Sequence, residues 1–96
     1  MMSLRVLVLG AQASSRKPMV EALGALGTRA IYQAGHCEKA MAILRQVEGA
    51  DIVLCELNSQ TLEHFDFLLA AAKAGLVRAV VLYSQLEPSL HRAIER

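Results

Sequence analysis

Aromatic side chains are nearly missing from this sequence: two Phe, two Tyr and no Trp among 96 residues. A densely packed interior must therefore be aliphatic, and a hydrophobic content of 54% supplies the material. Cysteine is as scarce. Cys37 and Cys55 share no metal or redox spacing, which excludes a disulfide-stapled secreted scaffold and points to the reducing cytoplasm. No apolar run approaches the ~20 residues that span a bilayer, and the first residues do not read as the charged, apolar and small-residue segments expected of a secretory signal. Neither charge sign dominates: ten Lys/Arg against nine Asp/Glu leave a net +1. That excludes the basic footprint of a direct nucleic-acid binder and equally an acidic tail. Linkers, repeats and low-complexity segments are absent as well, so residues 1–96 read as one domain.

What is present is an alternation. Short apolar runs at Leu4–Leu9, Arg29–Tyr32, Asp51–Leu57 and Arg78–Tyr83 read as strands buried on both faces. Helical periodicity stands between them. The first helix, Ser15 to Leu26, is expected to bury Met19, Leu23 and Leu26; Ser14 or Ser15 caps it, Pro18 sits in its first turn and Gly27 ends it. The second, Cys37 to Glu48, carries Ala40, Ile43, Leu44 and Val47 on one face and stops at Gly49. The third, Thr61 to Ala74, aligns Phe65, Leu68, Leu69 and Ala72 and ends at Gly75. Pro88 opens a last helical segment with Leu90, Ala93 and Ile94 inward. Strands alternating with helices imply an α/β domain with a parallel, doubly wound sheet and right-handed crossovers.

In such a sheet the functional crevice lies beyond the carboxyl ends of the strands. Chemistry is then confined to Gly10–Ser14, Gln33–His36, Glu56–Glu63 and Ser84–Glu87. A dinucleotide fold wants G-x-G-x-x-G in the first of these, so that backbone can approach a pyrophosphate at the helix N-terminus. The chain has Gly10-Ala11-Gln12-Ala13-Ser14-Ser15, with the first glycine alone in place, and no acidic residue closes the second strand. Arg16-Lys17 after Ser15 breaks the phosphate-loop pattern too. A small anion- or nucleotide-binding fragment using the Gly10–Ser15 turn is the alternative reading.

The third strand with its adjoining loop and helix, "DIVLCELNSQTLEHFDFLL", resembles a response-regulator receiver domain. "RVLVLG", "QAGHCEKAMAIL" and "VVLYSQLEP" extend the resemblance over nearly the whole chain. It implies a flavodoxin-like, CheY-like sheet in strand order 2-1-3-4, whose fifth strand and helix fall beyond Arg96, so that the domain is expected to be incomplete at its C-terminus. It also implies a set of site positions. Glu56 stands at the phosphoacceptor aspartate, Ser84 at the switch hydroxyl, and Gly10 and Ala11 where an acidic pair would hold Mg²⁺. Two of the hard oxygen ligands are thus replaced. Glu56 is one methylene longer than aspartate, which displaces its oxygen by on the order of 1 Å. Gln60, Thr61 and His64 replace the usual Pro and Gly of the following loop, and the fifth-strand lysine has no counterpart. The expectation is a pseudo-receiver of two-component or phosphorelay signalling: no metal, no cofactor, no catalytic residue and no Mg²⁺-dependent phosphorylation. Glu56 then has two readings: a standing negative charge that mimics the phosphorylated state, or a solvated carboxylate at a strand end with no signalling role. Its partner is a protein or a linked output domain, with a homodimer through the exposed edge of the fourth strand as one arrangement.

The remaining polar residues carry bland readings. His36, His64 and His91 lack zinc-site spacing and read as surface histidines. Met19 and Met41 read as core filler, Cys55 as a buried thiol, and Arg16-Lys17 as a solvated first turn.

Overall fold

The computed structural model of the chain describes residues 4–28, 30–56 and 61–83, side chains at 61–63 excepted. Its elements run β1 (Arg5–Leu9), α1 (Ala13–Ala25), β2 (Ala30–Ala34), α2 (Cys37–Gln46), β3 (Ala50–Glu56), α3 (Thr61–Lys73) and β4 (Val77–Tyr83). All strand pairs are parallel and the order is β2-β1-β3-β4, the doubly wound arrangement expected. Parallel neighbours cannot be joined by tight turns, so each helix carries the chain back to the amino end of the sheet.

Alternation along the strands divides the interior in two. Leu7, Leu9, Val53 and Cys55 join Ala40, Leu44, Phe67, Leu68 and Ala71 in one core beneath α2 and α3. Val6 and Val8, one residue out of step, are buried on the opposite face, where α1 packs against β1 and β2. Cys55 is buried, as its strand position requires.

Two helix phases differ from the sequence expectation. α1 begins at Ala13, earlier than Ser15, because Gln12 takes the extended N-cap position and its carbonyl accepts the Ser15 and Arg16 N–H groups. Neither Ser14 nor Ser15 caps the helix, and Ser15 is instead buried within it. Pro18 consequently lies past the first turn, where its missing N–H leaves the Ser14 carbonyl without its usual i+4 partner. Leu26 becomes the C-cap and is 83% exposed, not buried.

In α3 two apolar stripes compete, one residue apart. The sheet takes His64, Phe67, Leu68 and Ala71, leaving Phe65 at 43% and Leu69 at 60% exposure. Only Leu68 of the expected stripe that included Ala72 is buried.

Gly49 fixes the far end of the sheet. Its φ of +107° and an N–H bond to the Leu44 carbonyl end α2, and the next N–H, from Ala50, reaches the Leu76 carbonyl at 2.8 Å. A Cβ on Gly49 would stand 3.0 Å from that carbonyl oxygen, so torsion and space both demand glycine. The expected helix from Pro88, with Leu90, Ala93 and Ile94, lies outside the described residues, as do Ser84 and His91.

Candidate functional site

Strand register assembles the carboxyl edge. Leu9 is paired with Ala34 on one side and Cys55 on the other, and Glu56 is paired with Tyr83. Gly10, Glu56 and Tyr83 share the parity of Val6 and Val8, which places all three on the α1 side of the sheet.

They converge on one point. A Cβ at residue 10 would lie 2.8 Å from the Tyr83 hydroxyl, 3.1 Å from Glu56 Oε1 and 3.3 Å from Arg16 Cγ. Glu56 is buried, Gly10 is buried, and Ala11 is exposed. The Tyr83 hydroxyl reaches the Leu9 carbonyl at 3.5 Å, a long and weak donation. Arg16 is not the solvated first-turn residue the sequence suggests. It folds back from α1, donating Nη1 to the Gly10 carbonyl and Nε to Gln33 Oε1 at 3.2 Å. β2 extends to Ala34, two residues beyond its expected end, and this brings Gln33 within reach.

The donor set does not suit the Mg²⁺ that the receiver resemblance implies. A hard divalent cation wants several oxygen ligands of high charge density. At this edge Glu56 offers one carboxylate, Gly10 and Ala11 offer no side-chain oxygen, and Arg16 brings a competing positive charge. Among the described residues no group of three or more His, Cys, Asp or Glu is placed to hold a metal.

On the opposite face of β3 a second polar contact secures the same strand end. His64, expected at the surface, is only 3% exposed. Its Nδ1 lies 3.2 Å from the Glu56 carbonyl oxygen and 3.3 Å from Cys55 Sγ. The carbonyl can only accept, so the network assigns the proton to Nδ1. His36, by contrast, is exposed and accepts from the Lys39 N–H as the N-cap of α2.

Burial of the edge changes two acidities. The Tyr83 phenol is pushed up from 10.0 to about 12, first by burial, then by the nearby Glu56 and Cys55, with Arg16 opposing. The Cys55 thiol rises from 9.0 to about 11, first by burial, then by Cys37 and Glu56. Both folded values exceed the unfolded ones, so the unfolded chain releases these protons first as pH rises. Their contribution to stability is complete below pH 9.0 and is lost on passing to about 11 for Cys55, and from 10.0 to about 12 for Tyr83. The expected result is a fall in thermal midpoint over that window, smaller in Tyr83→Phe; an unchanged alkaline profile in that variant would contradict the assignment.

Two of the residues that shape this site, Tyr83 and Arg16, carry no sequence motif. The available signal was register: aligning the third and fourth strands by their apolar runs sets Tyr83 beside Glu56. Of the expected positions, the Glu56 carboxylate occupies the space beside Gly10 where a side chain there would go, Ala11 is exposed, and Ser84 lies outside the described residues.

No family model matches the chain. Over 93 residues, 97% of its length, it is 33% identical to the cyclic di-GMP phosphodiesterase RocR of Pseudomonas aeruginosa, of which it spans 24%. Among solved structures it is similar to the MaeR response regulator bound to beryllium trifluoride. That match has a TM-score of 0.69 at 18% identity and covers 97% of this chain and 77% of MaeR. In the described residues no helix is long and apolar enough to cross a membrane.

Proposed function

Because this chain has the response-regulator receiver fold, we propose that it is a pseudo-receiver, signalling through protein contacts without Mg²⁺-dependent phosphorylation of an aspartate. The convergence of Glu56, Tyr83 and Arg16 on the Gly10 position carries this reading. A carboxylate attacks an anionic phosphoryl donor only when a cation offsets the charge, and the oxygen ligands for that cation are replaced here. Glu56 keeps one negative charge at the acceptor position whatever the state of any kinase. The module has no catalytic activity of its own and conveys its state to a linked output domain or a separate protein. The likeness to RocR supports cyclic di-GMP turnover as the class of output. Val80, Val81 and Leu82 of β4 are 42%, 47% and 43% exposed, an apolar surface suited to protein contact, including a second copy.

Intact-mass spectra of the full chain with acetyl phosphate and Mg²⁺ test the reading. No phosphoryl adduct is expected. Glu56→Gln removes the standing charge and is expected to shift partner affinity by about tenfold, within the usual range of coupling between sites. An adduct on the wild-type chain overturns the proposal.

A further inference from the structure

The position of the lost acidic pair is filled as well as uncharged. We propose that Tyr83 is a built-in plug, closing the receiver site so that restoring the carboxylates alone does not restore metal binding. This rests on the pseudo-receiver reading and adds to it a residue that the resemblance does not assign.

The block is steric. The backbone of Gly10 is outside the left-handed region, so its torsion admits any residue. What opposes a side chain there is space: the phenol oxygen stands 2.8 Å from the Cβ position, closer than Cβ atoms pack in folded proteins, so the Tyr83 ring would have to move. That oxygen terminates a stiff ring with two torsions, anchored at its backbone by the pairing of Tyr83 with Glu56. An aspartate at residue 10 therefore meets the phenol before it meets a metal. Glu56 Oε1, at 3.1 Å from the same point, and the Arg16 stem, at 3.3 Å, close the remaining sides. The Gly10 carbonyl accepts from Arg16, and the Leu9 carbonyl accepts only weakly from the Tyr83 hydroxyl, so Arg16 supplies the firmer hydrogen bond of the filled state.

A double-mutant cycle on the full chain reads the plug directly. Gly10→Ala is expected to lower the thermal midpoint by about 5–10 °C in the wild-type background, the response of a small domain to overpacking. In a Tyr83→Val background, which keeps a strand-favouring residue, the same substitution is expected to cost no more than about half as much, the remainder coming from the Glu56 and Arg16 side chains that still crowd the position. Equal losses in both backgrounds would overturn the plug. A second measurement titrates Mn²⁺, followed by its electron spin resonance signal, into the Gly10→Asp/Ala11→Asp/Glu56→Asp chain with and without Tyr83→Val. Binding at least about tenfold tighter with Tyr83 shortened is expected, as for a site relieved of a steric block. Equal Mn²⁺ binding by the two chains, or none by either, overturns the plug and leaves the pseudo-receiver reading standing. A phosphoryl adduct on the wild-type chain is a separate result and removes the reading beneath it.

Discussion

Phe67→Ala is expected to lower the unfolding free energy by about 4 kcal/mol, against about 1 kcal/mol or less for Phe65→Ala. The two phenylalanines stand two residues apart on one helix, yet Phe67 is 6% exposed and Phe65 43%. Phe67 packs in the core formed with Leu7, Leu9, Val53 and Leu68, where truncation leaves a cavity that rigid strands cannot collapse. At residue 65 truncation removes a ring that already has water on one side. A loss of about 4 kcal/mol takes most of the stability of a small domain. Urea unfolding followed by circular dichroism separates the two. Equal losses would mean that α3 faces the sheet in the other phase, with Phe65, Leu69 and Ala72 inward.

His64→Ala is the second large effect, about 3 kcal/mol. It leaves the Glu56 carbonyl and the Cys55 thiol without the imidazole, and it opens a cavity under α3. Leucine at this position refills the volume but restores no donor, so His64→Leu is expected to recover only part of the loss. Cys55 supplies an independent readout. It is 1% exposed and its thiol is held neutral to about pH 11, so it resists alkylation in the folded wild-type chain. Opening the cavity beside it should speed its reaction with iodoacetamide. His36→Ala, which removes only the α2 cap, is expected to cost about 1 kcal/mol and leave Cys55 protected. If His64→Ala behaves like His36→Ala, the imidazole is not the clasp at the end of β3.

The candidate site was legible in part. The absence of acidic residues at Gly10 and Ala11, and Glu56 in place of an aspartate, are facts of residue type and stand in the sequence itself. What those positions are filled with is not. Tyr83 is an ordinary last residue of an apolar strand and Arg16 an ordinary polar residue of a helix; each gains meaning only when register sets one beside Glu56 and the fold-back of α1 brings in the other. His64 was hidden for a related reason. A lone histidine near a helix start gives no clue that its ring turns inward, since that depends on which of two apolar stripes the sheet accepts.

The strand and helix alternation, the parallel sheet and the positions of the turns were determined by the sequence alone. They rest on hydrophobic period and on glycines at 27, 49 and 75, which act over a few neighbouring residues. The phase of α1 and α3, the buried His64 and the filling of the edge by Tyr83 and Arg16 were decided only in the tertiary structure. Each is a choice between locally equivalent arrangements, and the choice rests on contacts between residues as far apart as Leu9 and Tyr83, which local periodicity cannot rank.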